Sequence, residues 1–163
     1  MGEDKDLLPG DFRALAEFRY QIRKFLRFSE EAARSAGLEP QQHQLLLAVK
    51  GMPDGMRPRI GEIADRLQIQ HHSTVELVDR LEKNGFVSRK RSDRDRREVL
   101  IALTPKSERV LRDLTLHHHE LLQSYGNALI ASLKKLMSAK DRSRNGRTGA
   151  TSKSRVKTAA GED

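Results

Sequence analysis

Residues 60–104 read IGEIADRLQIQHHSTVELVDRLEKNGFVSRKRSDRDRREVLIALT. In this stretch Ile60, Ile63, Ala64 and Leu67 recur at helical spacing. After a break near residues 68–71, Val75, Val78 and Leu81 do the same, with Leu77 beside them. Gly85 suits the close of the second helix, since glycine accepts the left-handed backbone that ends one. Phe86, Val87, Val99, Leu100, Ile101 and Leu103 then flank a very polar centre, as two strands joined by a charged turn would. The order is helix, short turn, helix, β-ribbon.

Upstream, Asp11 can cap a long helix whose apolar positions Phe12, Leu15, Phe18, Ile22, Phe25 and Leu26 keep helical spacing until Gly37. A second helix begins at Pro40, a residue suited to the first turn, and carries Leu45, Leu46, Leu47 and Val49 to Gly51. Residues 52–58 hold a Pro-Asp-Gly turn signal and two prolines, so they read as a loop, followed by a very short strand at Arg59 and Ile60. Downstream, Thr104-Pro105 sets a capping residue before a first-turn proline. Val110, Leu111, Leu114, Leu121, Leu122, Leu129, Ile130, Leu133 and Leu136 then continue a helix to about Met137, with Gly126 expected to bend or divide it.

That order matches a winged helix-turn-helix, whose second helix enters the major groove of DNA. The expected fold is therefore mainly α with a small β-ribbon (α+β), flanked by N- and C-terminal dimerisation helices. One regulator domain spans residues 11–137, with the reading head at about 60–104 and the terminal helices at about 11–36 and 105–137. Residues 1–10 and 138–163 are expected to be disordered. The latter stretch holds seven Lys or Arg against three acidic residues, a balance of +4. The apolar content of the terminal helices exceeds what one small reading head can cover, and an intertwined homodimer would bury it.

Composition supports this assignment. With 31 Lys and Arg against 23 Asp and Glu, the 163-residue chain carries a formal charge of +8, which favours a polyanionic partner. The absence of cysteine excludes disulfides and thiolate metal sites. The acidic start Met1-Gly2-Glu3-Asp4 has no apolar signal core, and no run of about 18 apolar residues suits a membrane span, so a soluble cytoplasmic protein without membrane contact is expected. An enzyme is not expected: there is no phosphate-binding Gly-rich loop, no Cys nucleophile and no recognisable pair of carboxylates, and Ser73 beside His72 makes no triad.

Within the reading head, His71, Ser73, Thr74, Glu76 and Arg80 fall on the N-terminal half or outer side of the second helix, where side chains reach base edges. The ribbon packs six basic and three acidic residues into positions 89–98. Arg89, Arg91, Arg94, Arg96 and Arg97 are its candidate DNA contacts, because a narrow minor groove favours an inserted guanidinium. Asp93 or Asp95 would pair with a neighbouring arginine and order the turn. An exposed pair contributes only about 0 to 1 kcal/mol.

Several segments together resemble the MarR family of bacterial winged helix-turn-helix regulators, over residues 12–137. Gly37-Leu38-Glu39-Pro40-Gln41-Gln42-His43 is similar to the start of the family's second helix, and Ile63-Ala64-Asp65-Arg66-Leu67 to its first reading-domain helix. Val75-Glu76-Leu77-Val78-Asp79-Arg80-Leu81 resembles the recognition helix, and Asp95-Arg96-Arg97-Glu98-Val99-Leu100 the wing tip and return strand. The resemblance implies a transcriptional repressor that binds double-stranded DNA as a homodimer on a near-palindromic site, often relieved by a small aromatic or amphipathic effector. It also implies that Arg96 and Arg97 are wing contacts ordered by Asp95.

Phe18, Phe25, His43 and His117 are the candidate lining of an effector pocket, although aromatic residues at helical spacing are more often core. His117-His118-His119 with His43 raises a metal-responsive regulator as an alternative, should a histidine pair converge with Glu39 or Glu120. Consecutive helical residues point apart and there is no i, i+4 histidine pair, so neither a metal nor any other cofactor is expected. A non-specific architectural nucleic-acid-binding protein is the further alternative.

Overall fold

The computed structural model describes residues 9–93, 95 and 97–145. Its elements are α1 (Pro9–Ser35), α2 (Pro40–Lys50), α3 (Ile60–Leu67), α4 (His71–Lys83), β1 (Val87–Arg91), β2 (Val99–Leu103) and α5 (Pro105–Asn145). Two compact units divide the chain. One is Phe25–Ser124, and the other combines Met1–Lys24 with Tyr125–Asp163.

The Phe25–Ser124 unit has a true core. Leu45, Leu46 and Val49 bury one face of α2, and Ile63 and Ala64 bury one face of α3. Small Ala64 sits inside while Ile69, in the turn, packs partly buried against the core. Gln68 closes α3 in the left-handed conformation, and its backbone N–H bonds the carbonyls of Ala64 and Asp65. Gly85, at φ +72, releases the chain from α4 into β1. Thr104 then caps α5 reciprocally: its N–H donates to Ser107 Oγ at 3.0 Å and its Oγ1 accepts the Ser107 N–H at 3.4 Å, while its hydroxyl donates to the Gly85 carbonyl at 2.8 Å.

β1 and β2 pair antiparallel in the register Val87↔Leu103, Arg89↔Ile101, Arg91↔Val99. Because side chains alternate along a strand, Val87, Arg89 and Ile101 share a face. Val87 and Ile101 of that face are buried.

The structure departs from the sequence reading in four places. The buried face of α4 is Thr74, Leu77, Val78 and Leu81, whereas Val75 is only half-buried. This i, i+3, i+4, i+7 set is the wider apolar stripe a core-facing helix needs, and it turns the helix so that Thr74 faces inward. Arg59 and Ile60 form no strand. Ile60 opens α3, and one bond, from Ile101 N–H to the Pro58 carbonyl at 2.8 Å, joins this loop to β2. Gly126 lies inside an uninterrupted α5. Finally, α1 begins at Pro9, where a first-turn proline costs no hydrogen bond, and α5 runs on to Asn145. Residues 138–145 include Ala, Lys and Arg, good helix formers that a disorder reading based on polarity overlooks. The rest of the expected disordered ends, 1–8 and 146–163, lies outside the described residues.

The terminal unit is different in kind. Phe12, Leu15, Tyr20, Ile130, Leu133 and Met137 are all exposed, Met137 by 64% and Phe12 by 61%. Among its described residues only Ser132 is fully buried. Lys24 lies over the Tyr125 ring, 4.3 Å from its centre. Among the described residues no helix is long and apolar enough to cross a membrane.

The phase of α4 can be measured. At fixed protein concentration, Leu77→Ala is expected to lower unfolding free energy by about 2–5 kcal/mol in urea titrations, and Val75→Ala by about 1 kcal/mol or less. The opposite order would mean that the helix is rotated.

Candidate nucleic-acid interface

With Thr74, Leu77, Val78 and Leu81 committed to the core, α4 exposes His71, His72, Glu76, Asp79 and Arg80, and half-exposes Ser73 and Val75. Thr74, expected at a base edge, is fully buried, and its hydroxyl donates to the Gln70 carbonyl at 3.2 Å. It therefore leaves the candidate contact set. His72, which the sequence reading passed over, joins the exposed face. Arg80 borders a polar cleft with Glu30, Arg34, Glu39, Gln41 and Gln42.

The wing divides its arginines between two tasks. Arg89 does not project toward solvent with the others. Its guanidinium pairs with Asp79 and Glu82 of α4, and its backbone N–H donates to Glu82 Oε1 at 3.0 Å. The hydrogen bond to Asp79 and then that to Glu82 raise its pKa, against the opposing effect of burial. The strand alternation that turns Val87 inward turns Arg89 toward α4, so Arg89 fastens the wing to the helix. Lys90, Arg91 and Arg97 are exposed. Arg94 and Arg96 lie outside the described residues.

Asp95 is bonded to its neighbours in the tip through backbone groups. Its Oδ1 accepts the Arg97 N–H at 2.9 Å, its carbonyl accepts the Glu98 N–H at 2.9 Å, and its own N–H donates to Ser92 Oγ at 3.3 Å. This is the local Asx geometry that aspartate favours in turns. Ser92 N–H closes the base of the turn on the Glu98 carbonyl at 2.9 Å.

A second brace was invisible in the sequence. Arg57, from the loop before α3, forks to Glu98 and to Ser92 Oγ, the latter at 2.7 Å. Arg59 reaches the same Glu98 carboxylate at 3.4 Å. The Glu98 side chain is only 14% exposed. Glu62 completes the junction: it pairs with Arg59 and accepts the Arg57 N–H at 2.7 Å. The hydrogen bond from Arg59, followed by that from the Arg57 backbone, lowers the Glu62 pKa. The signal available in the sequence was Glu98, an acid at the end of a basic turn with no stated partner.

Of the candidate pocket residues, the structure brings Phe25 and His43 together, but with His118 in place of His117. The rings of His43 and His118 stack with centres 5.3 Å apart and 3° between their planes. Phe25 tilts against His118 at 6.1 Å, and Ser29 Oγ lies 2.9 Å from His118 Nε2. His117 is exposed and meets His118 only edge-on. The buried positions Leu111 and Leu114 fix this choice, because residue 118 follows them by seven and four. Phe18 belongs to the terminal unit. Imidazole lone pairs lie in the ring plane, so nearly parallel stacked rings do not aim at one ion. Among the described residues no three His, Asp or Glu side chains could share a metal.

Comparison with known proteins places this geometry. The sequence model of the MarR family matches residues 36–98. Residues 36–98 belong to the MarR family. The HTH-type transcriptional regulator YfiV of Bacillus subtilis (strain 168) is 39% identical over 56 residues, 34% of this chain and 35% of that protein. Alignments to the curated relatives span between 35% and 64% of their lengths. Among solved structures, the MarR family transcriptional regulator AbsC from Streptomyces coelicolor superposes with a TM-score of 0.65 at 19% identity, covering 88% of this chain and 98% of AbsC. A point mutant of MepR from S. aureus, bound to an oligodeoxyribonucleotide, gives 0.55 at 19% identity, covering 80% of this chain and 94% of that one. The shared fold thus extends well beyond the matched segment.

The brace has a measurable consequence. Arg57→Ala removes charge-assisted bonds to Glu98 and Ser92 that contribute about 1.5–3 kcal/mol each. Amide exchange at Ser92 and Glu98 is expected to speed up at least about tenfold, with exchange in the middle of α2 unchanged. Equal rates in both proteins would show that the wing root does not depend on Arg57.

Proposed function

We propose that this protein is a sequence-specific transcriptional repressor that binds double-stranded DNA as a homodimer on a near-palindromic site. The observation that carries the reading is the outer face of α4, with His71, His72, Ser73, Val75, Glu76 and Arg80, held by Arg89 beside a wing with exposed Lys90, Arg91 and Arg97. A helix in the major groove and a basic ribbon on the adjacent minor groove read bases and shape together. Arg94 and Arg96 would add to the wing. The related MepR structure bound to an oligodeoxyribonucleotide supports this use of the fold.

A second copy is the partner that the terminal unit needs. Its exposed Phe12, Leu15, Tyr20, Ile130, Leu133 and Met137 form more apolar surface than an isolated chain would keep in water. A two-fold dimer would also set two α4 helices about one helical turn of DNA apart. Relief of repression by a small aromatic or amphipathic ligand belongs to the same proposal through the family resemblance. The site of action would be the cytoplasm.

Selection of bound molecules from random duplexes, followed by affinity measurement at fixed salt, tests this reading. An inverted repeat preferred strongly over its scramble is expected. Equal binding to every duplex would replace the reading with an architectural one. On the selected site, the Arg91→Ala/Arg97→Ala double variant is expected to bind at least tenfold more weakly. Its dependence on log salt should flatten by about 1–2 for each protomer. An unchanged salt slope would remove the wing from the interface.

A further inference from the structure

The reading of DNA leaves one feature of the larger unit unused: an imidazole pair inside its helical packing. His43 is 3% exposed, on the face of α2 that also carries Leu46. His118 of α5 stacks on it, and α1 contributes Phe25 and the Ser29 hydroxyl. Three helices therefore meet at two titratable rings.

Few charges compensate a proton on this pair. From α5 the groups present are His118 itself and, edge-on to it, His117. From α1 they are uncharged Phe25 and Ser29. At the N-cap of α2, Glu39 lies one turn before His43 and is exposed. Burial, followed by repulsion from His118, lowers the His43 pKa from the ordinary 6.5.

We propose that the His43–His118 stack is an acid-sensitive joint, in which a proton taken up at His43, buried against the second ring, opens the stack and loosens α2 from α5. The Ser29 hydroxyl can donate to a neutral His118 ring or accept from a charged one, so His118 keeps its partner in either state. His43 has no such partner among the bonds described, and a proton on it is both desolvated and faced by the second ring.

The sign follows from linkage. A histidine whose folded pKa is depressed stabilises the closed joint fully above the unfolded value of about 6.5. That contribution is lost as pH falls from there toward the folded value. Within this window the closed-to-open ratio falls up to about tenfold per pH unit. Any effect of the joint on duplex binding rests on the proposed function. The joint itself does not.

Histidine ring spectra of the full chain, recorded without DNA from pH 8 to 5, test the proposal. His43→Phe assigns the signal and retains an aromatic ring in the stack. The His43 ring is expected to titrate below the value of an unstructured histidine peptide, with backbone signals of α2 and of α5 around His118 moving along the same curve. The fall in Tm between pH 7.5 and 5.5 should be several degrees smaller in His43→Phe and in His118→Phe than in the unsubstituted protein. Titration of His43 at the peptide value, backbone signals that ignore it, or an equal fall in Tm in both variants would overturn the joint. Because no DNA is present, these outcomes are separate from failure of the repressor reading.

Discussion

One packing contact governs the molecule's outward chemistry: the face of α4 formed by Thr74, Leu77, Val78 and Leu81, pressed into the core shared with α2, α3 and β2. A helix with four buried positions at this spacing has no rotational freedom, since a turn of one residue would expose Leu77 or Leu81 and bury a charge. The side chains that meet solvent are fixed as a consequence. His71, His72, Glu76 and Arg80 are displayed because their neighbours are held.

The wing inherits its position from the same helix. Arg89 ties β1 to Asp79 and Glu82, while Arg57 and Arg59 hold Glu98 from the other side, at the start of the return strand. Isolated surface ion pairs contribute little. These are shared, partly buried networks that also take up Ser92 and backbone N–H groups, so their effect is to fix geometry. The ribbon is only two strands wide and would be marginal alone. Braced at both strands, it presents Arg91 and Arg97 at a set place relative to α4.

Periodicity made much of this legible in the sequence. The helix-turn-helix, the ribbon and the Thr104-Pro105 start of α5 follow from apolar spacing and capping chemistry, and the structure has them. The misses share one cause. Residue type alone singles out Thr74, Arg89 and His117, while burial is decided by phase. Thr74 sits on the α4 row that ends at Leu81, Arg89 on the strand face shared with Val87, and His118 on the α5 row of Leu111 and Leu114. A polar residue on an apolar row turns inward and finds a partner there. The Arg57–Glu98 brace lay beyond such reasoning, because it joins residues 41 apart through a loop with no period.

On the proposed reading, the α4 face and the wing together form the nucleic-acid surface. Backbone amide spectra of the isotopically labelled protein, titrated with a duplex chosen by affinity, test it most directly. Shifts are expected to concentrate in the first half of α4 and in residues 90–98, with the middle of α2 quiet. Shifts gathered on α1 and α5, with α4 and the wing unmoved, would contradict it.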